Sequence, residues 1–216
     1  MTSRTVAGLF RLAIAATLLV ALGYQIVDKI THDDMQAAEY FSFFTIQSSF
    51  LAAAVALWGG VVALRHPVDG TILTSVRMSV LTYAIVTAGV YNGLLRGIPA
   101  EGYVGLQWPG ELMHVWVPIA ILVDWLLSPG RSPLRWTALR IVIVYPIAWL
   151  VYTFIKGAAT GWFPYPFLEP ASGILSIAIY VLAIAALVVG IAALAIAYSR
   201  RTKLTENPLP ATGRTQ

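Results

Sequence analysis

Six long apolar stretches follow one another along the chain, separated by short polar connections. Each is close to the ~20 residues that an α-helix needs to cross the ~30 Å hydrocarbon core of a bilayer. The pattern therefore predicts an all-α integral membrane bundle over residues 1–199, followed by a disordered tail over residues 200–216. The six predicted transmembrane helices are Val6–Val27, Phe41–Leu64, Val76–Leu95, Trp108–Leu127, Leu139–Ile155 and Gly173–Tyr198.

The positions of Lys and Arg predict the orientation of these helices. Eleven of the 14 Lys and Arg residues fall on the side of the two termini, and only Lys29, Arg96 and Lys156 fall on the other. Because cytoplasmic loops carry the excess of Lys and Arg, we expect both termini in the cytoplasm. Asp124 lies near the predicted cytoplasmic arginines, and we expect it to pair with them.

Composition narrows the class of protein. Hydrophobic residues make up 58% of the chain and charged residues 11%, too few charges to cover a water-soluble globule. This excludes an ordinary soluble enzyme and a nucleic-acid-binding module and leaves membrane lipids as the expected surroundings. The chain has no Cys, and His32 and His66 lie in connections on opposite sides, so we expect no metal and no cofactor.

Two polar residues are predicted at similar depth in the outer leaflet. Thr45 lies about 6 Å past Phe41, and His114 lies about 9 Å past Trp108, at ~1.5 Å per residue. An ionisable group inside a membrane is a functional candidate by default, and a hydroxyl beside a histidine forms a nucleophile with its base. The alternatives are a histidine bonded to a neighbouring helix and a threonine bonded to its own i−4 carbonyl.

Further polar residues cluster at the predicted outer helix ends and indicate a polar cavity there. Glu111 lies three residues before His114, on the same helix face, where its carboxylate could fix the imidazole tautomer. Ser48 follows Thr45 at i+3. The other candidates for supporting or binding substrate are Tyr91, Asn92, Tyr152 and Lys156, the last two being equally typical of an aromatic belt with a snorkelling lysine.

The connection Gly157–Ser172 is rich in proline and aromatic residues. Its prolines forbid a continuous helix, and its aromatic content is unusual for a solvated loop. We expect it to fold over the helix ends, either as a lid or as an interfacial anchor.

The block GELMHVWVPIAILVDWLL (Gly110–Leu127) and the block that follows it to Pro170, ending in GWFPYPFLEP, carry a family resemblance. Together with Phe43-Phe44-Thr45-Ile46 in helix two, they resemble the androgen-induced-gene/ADTRP family of six-pass membrane proteins, and the chain is similar to its bacterial-type relatives. The resemblance implies hydrolysis of fatty acid esters of hydroxy fatty acids by a Thr and a His, which correspond to Thr45 and His114. It also implies the cell membrane, here a bacterial inner membrane, as the location.

These observations together predict an integral membrane lipid esterase in which Thr45 is the nucleophile and His114 the base, acting without a metal on a lipid ester. Lys156, Tyr152 or Asn92 would hold the oxyanion or a substrate carboxylate. The alternatives are a transporter or lipid-binding protein that uses the same cavity without chemistry, and a structural protein whose small residues pack helices.

Overall fold

The structure is a computed structural model that describes residues 2–98 and 103–201. Within these ranges the chain forms helices, turns and loops, and no strand. Six helices are long and apolar enough to cross a membrane, which confirms the predicted all-α class and the number of spans. They are α1 (Ser3–Thr31), α2 (Phe44–Arg65), α3 (Thr71–Leu95), α4 (Trp108–Leu127), α5 (Trp136–Thr160) and α6 (Ile174–Arg201).

The helix bounds depart from the predicted ones mainly at the ends. The predicted start of helix two falls on a separate short helix, Ala37–Tyr40, and the turn after it. α6 continues at least to Arg201, and the Arg200 side chain donates to the Leu134 carbonyl at 2.8 Å. The first two residues of the predicted tail are therefore helical, and residues 202–216 lie outside the described residues.

α3 lies at the centre of the bundle, where it packs against α2, α4, α5 and α6. It is rich in Ser and Thr, yet many of these side chains are buried. Ser75, Ser79 and Thr82 each donate to the backbone carbonyl four residues earlier, at 2.8–3.1 Å. Because these three hydroxyl groups are satisfied within the helix, they can be buried inside the bundle without partners from other helices.

α1 and α2 cross at a pair of glycines. A Cβ added to Gly60 would lie 2.8 Å from Leu12 Cδ2 and 3.0 Å from the Gly8 carbonyl oxygen. A Cβ on Gly8 would meet Leu64 at 2.9 Å. The two backbones approach so closely only because neither residue has a side chain, as is common where helices associate within membranes.

We expect Gly60→Ala to lower the stability of the bundle by about 1–3 kcal/mol, the usual cost of overpacking a close contact. The control is Gly190→Ala in α6, where none of the described residues lies within 4 Å of an added Cβ. Thermal unfolding of both variants in the same detergent would test this. Equal midpoints for the two variants would contradict the close-packing interpretation.

The start of α1 and the described end of α6 lie at the same end of the bundle, which we call the arginine end. It is closed by a buried ion-pair cluster, the arginine cluster, made of Arg4, Arg11, Asp69, Arg77 and Asp124. Arg11 bonds Asp124 at 2.9 Å and Asp69 at 3.2 Å, and Arg4 bonds Asp69 at 2.8 Å. Arg77 contacts both carboxylates.

The expected pairing of Asp124 with arginines is confirmed by these contacts. The cluster joins α1, α3 and α4 to the short connection that contains Asp69, whose side chain is fully buried. Arg11 and Arg77, two of the eleven Lys and Arg residues on the side of the termini, are almost completely buried.

Candidate functional site

A cavity of about 290 Å³ lies at the opposite end, the Thr45 end, between α2, α3, α5, α6 and residues 165–168. This volume is at the lower limit of the ~300–1,000 Å³ typical of small-molecule sites. Its hydroxyl-bearing wall residues are Thr45, Thr87, Tyr91 and Tyr165. Most of the remaining wall is apolar: Phe44, Val86, Val90, Leu95, Ile143, Pro146, Ile147, Leu150, Phe167, Leu168, Val181, Ile184, Ala185, Val188 and Val189, with Trp149. The cavity is thus less polar than the sequence indicated.

Thr45 lies in the first turn of α2, where backbone N–H groups need acceptors from outside the helix. The N-cap residue, Phe43, makes no side-chain hydrogen bond to them. Tyr165 lines the same cavity as Thr45, and burial raises the pKa of its hydroxyl, while its proximity to Thr45 and to the Phe44 backbone acts in the opposite direction. Tyr165 therefore stays protonated beside the first turn of α2.

Two π-helical turns, Tyr91–Leu95 in α3 and Leu112–Trp116 in α4, contact each other at the Thr45 end. Such turns are rare and occur frequently at functional sites. Pro118 has no N–H to offer the carbonyl of His114, four residues earlier. The Asn92 side chain donates to that carbonyl instead, at 3.2 Å. The π-helical turn of α3 therefore supplies, through Asn92, the hydrogen bond that Pro118 cannot give to the His114 carbonyl in α4.

The His114 imidazole is fixed by two contacts. Nδ1 lies 2.7 Å from the Gly110 carbonyl oxygen. Because a carbonyl only accepts hydrogen bonds, Nδ1 carries the proton in the neutral ring and Nε2 carries the lone pair. The ring stacks on Tyr91, with 3.8 Å between centroids and 17° between planes. This tautomer has the free basic nitrogen that a general base requires.

Glu111 does not orient the imidazole, since the Gly110 carbonyl has that role. The Glu111 carboxylate accepts instead from Arg96 Nη2, at 2.8 and 3.0 Å. Arg96 Nε also donates to Asn92 at 2.8 Å, and its guanidinium lies 5.4 Å from the Tyr91 ring centroid. These residues tie the end of α3 to the start of α4 and hold the side chains that contact His114.

Thr45 and Tyr91 both line the cavity, and His114 lies against Tyr91. His114 is not among the described residues that line the cavity. The structure therefore brings Thr45, Tyr91 and His114 into one neighbourhood, with the Tyr91 ring in contact with both the cavity and the imidazole. Ser48 is buried beneath Thr45, and its hydroxyl donates to the Thr45 carbonyl at 3.3 Å.

Tyr152 and Lys156 converge on Ser42, a residue that sequence reasoning missed. Lys156 Nζ donates to Ser42 Oγ at 2.7 Å, and the Tyr152 hydroxyl lies 2.7 Å from the same atom. Ser42 is 1% exposed. Lys156 also donates to the Ala38 carbonyl. The geometry thus assigns these groups to anchoring the segment before α2, which positions Thr45.

The connection between α5 and α6 folds over the helix ends as expected. Tyr165, Phe167 and Leu168 lie in the cavity wall, and Leu168 is 2% exposed. Phe163 instead packs on Gly157, where an added Cβ would lie 2.2 Å from its ring. Tyr165, Phe167 and Leu168 therefore close the cavity at the Thr45 end, and Phe163 fixes the connection to α5.

Thr87 is a second wall residue that the sequence did not single out. It is 7% exposed, and its hydroxyl has no hydrogen-bond partner among the described residues. Buried polar groups are normally bonded, so an unbonded hydroxyl in a cavity wall is a candidate ligand contact. Because many Ser and Thr residues of α3 bond their own backbone, periodicity could not have distinguished Thr87 from them.

No family model, no curated protein and no solved structure matches this chain. The site is therefore interpreted from the chemistry of its own residues.

Proposed function

We propose that this multi-pass membrane protein is a lipid esterase that hydrolyses fatty acid esters, such as esters of hydroxy fatty acids. The observation that carries the proposal is the hydroxyl of Thr45 in the wall of an apolar cavity, one aromatic ring away from a histidine with a free basic nitrogen. The sequence resemblance to six-pass fatty-acid-ester hydrolases assigns the same two residues.

The reaction would proceed by covalent catalysis. His114 Nε2 takes the Thr45 proton while the Thr45 oxygen attacks the ester carbonyl carbon. The tetrahedral intermediate collapses, the protonated imidazole gives its proton to the leaving alkoxide, and an acyl-threonine remains. Water, deprotonated by His114, then releases the fatty acid and restores the Thr45 hydroxyl. Transfer needs ~2.6–3.2 Å between the two residues, or one bridging water, and rotation of Tyr91 would open that path.

Thr87 supplies a candidate donor to the substrate carbonyl oxygen, because it lines the same cavity as Thr45 and its buried hydroxyl has no partner among the described residues. We expect Thr87→Val to lower kcat/KM about 10²-fold, as when one oxyanion donor is removed. Stability should be unchanged or slightly higher, since a buried unbonded hydroxyl is lost.

Thr153→Val is the matched control for Thr87→Val. Thr153 is 2% exposed and its hydroxyl likewise has no partner among the described residues, but it does not line the cavity. Ester hydrolysis by the two purified variants should differ. A similar loss in both would mean that the effect of Thr87 is structural.

The direct test is labelling with a long-chain fluorophosphonate, which phosphonylates an activated hydroxyl as fluoride leaves. The purified chain should be labelled at Thr45, and Thr45→Ala should not be labelled. Labelling that persists in Thr45→Ala would reject Thr45 as the nucleophile.

A lipid-binding or transport protein without chemistry is the second candidate. It is favoured by one observation: the His114 ring is covered by Tyr91 and is not itself a wall residue. Under that function, Thr45→Ala would retain lipid binding, and the unmodified chain would hydrolyse no ester.

The proposed orientation has both termini in the cytoplasm of a bacterial inner membrane, because most Lys and Arg residues lie at the arginine end. Alkaline phosphatase fused after residue 130 should be inactive, and the same enzyme fused after residue 168 should be active, since it folds only outside the cytoplasm. The reverse pattern of activities would overturn this topology.

A further inference from the structure

The two halves of α6 pack very differently. Its buried residues are Val188, Ala192, Ala195, Ile196 and Ser199, all in the half toward the arginine end. None of residues 174–187 is buried. Nevertheless Val181, Ile184 and Ala185, from this loosely packed half, line the cavity. α6 is therefore packed most loosely beside the cavity.

The cavity reaches the membrane-facing surface through this part of the bundle. Ile147 of α5 and Val189 of α6 line it, although they are 57% and 44% exposed. At the Thr45 end it is closed by Tyr165 and Leu168, which are 8% and 2% exposed. We call the side opening, defined by Ile147, Ala185 and Val189, the α5–α6 gap.

We propose that the acyl chain of a lipid from the surrounding bilayer passes sideways through the α5–α6 gap into the cavity. The identity of that lipid as the ester substrate rests on the proposed function, whereas the occupation of the cavity does not. The wall residues from α5 and α6 are almost all apolar, and lipid tails are apolar as well. A chain that moves from the bilayer through the gap therefore meets no water and leaves no polar group unbonded.

The shape of the cavity fixes the direction in which the chain lies. The wall residues of α6 extend over about 12 Å, from Val181 to Val189, at ~1.5 Å per residue. The polar wall residues Thr45, Tyr91 and Tyr165 are near the Thr45 end. The tail consequently points toward the middle of the membrane, and an ester carbonyl at its head lies among the hydroxyl groups.

Photolabelling from the bilayer tests this without requiring hydrolysis. The full chain is reconstituted in phosphatidylcholine vesicles in which a small fraction of the lipid has a diazirine at the end of its acyl chain. After irradiation, labelled residues are mapped by mass spectrometry. We expect labelling of Val188, which is 5% exposed and borders the cavity, in both the unmodified chain and Thr45→Ala.

Ala185→Trp should fill the gap and lower Val188 labelling at least tenfold. Leu182→Trp is the matched control, because Leu182 is 69% exposed on the same helix and does not line the cavity. Ile147→Trp should close the gap from the exposed side of α5, and it replaces Ala185→Trp in the experiment if that variant does not fold. Both closing variants should also lose hydrolysis of bilayer esters.

Absence of Val188 labelling in the unmodified chain, or equal labelling in the closed and control variants, would overturn the proposal. So would equal labelling of Val188 by a short, water-soluble diazirine added outside the vesicles, because the ligand would then come from water. If labelling follows the expected pattern but no ester is hydrolysed, the lateral path stands and the esterase function fails.

Discussion

Thr45→Ala and His114→Ala should each reduce ester hydrolysis to the background rate while leaving a folded, membrane-inserted protein. Removing the hydroxyl removes the attacking atom, and general-base catalysis alone is typically worth about 10²–10⁴-fold in rate. Since the two residues would act as one unit, the double variant should be little worse than either single variant. Hydrolysis of a long-chain ester in detergent and in vesicles, with helix content measured in parallel, provides the comparison.

Matched variants separate chemistry from structure in this experiment. Thr45→Ser keeps a hydroxyl and should keep part of the activity. Ser48→Ala, one turn further along α2, loses only a hydrogen bond to the Thr45 carbonyl and should remain active. His114→Asn keeps a side-chain N–H that can donate to the Gly110 carbonyl, but it has no basic nitrogen. Full activity in His114→Asn would show that His114 is structural and would favour lipid binding without chemistry.

Apolar length alone was enough to predict the six helices. α4 has the predicted bounds, Trp108–Leu127, although its interior contains Glu111, His114 and Asp124. α1 instead begins before its predicted stretch, at Ser3, where the Thr2 side chain accepts from the Thr5 backbone N–H. Such contacts involve polar residues outside the apolar stretch, so the pattern of hydrophobic residues does not reveal them.

The candidate site could be predicted only in part, because depth in the membrane does not determine direction around a helix. The predicted depth put Thr45 and His114 in the same end of the bundle, and the structure places them there. The stacking of Tyr91 on His114 depends on two π-helical turns, and a turn of five residues leaves no periodic pattern in a short segment. The sequence similarly showed that Lys156 lies near the surface, but not that it bonds Ser42.

The arginine cluster, at the opposite end of the bundle from Thr45, also could not be predicted from the sequence. Arg11 lies several residues inside the first apolar stretch, Arg77 lies at the start of the third, and Asp69 lies in the connection between α2 and α3. From the sequence, Asp69 is one acid in a polar turn. Only the folded chain brings it within reach of three arginines, because α1, α3 and α4 converge on that connection.

Asp69→Ala should be the most destabilising substitution in the chain, by about 3–5 kcal/mol, as when one partner of a buried ion pair is removed. Asp69 is fully buried and accepts from Arg4, Arg11 and Arg77, two of which are themselves almost completely buried. Their charges would be left with Asp124 as the only carboxylate of the cluster. Because Arg77 and Arg11 contact Asp124 as well, the loss should spread to the α1–α4 contact.

The unfolding midpoint of the purified chain in detergent measures this effect. Asp69→Asn keeps an acceptor oxygen and the side-chain volume, so it should fall between Asp69→Ala and the unmodified chain. Asp34→Ala is the control: its pairing with Lys29 at 2.5 Å is partly exposed, and exposed ion pairs contribute little to stability, so its midpoint should stay close to that of the unmodified chain. A midpoint for Asp69→Ala as high as that of Asp34→Ala would mean that water solvates the arginine cluster, and the cluster would then not hold α1, α3 and α4 together.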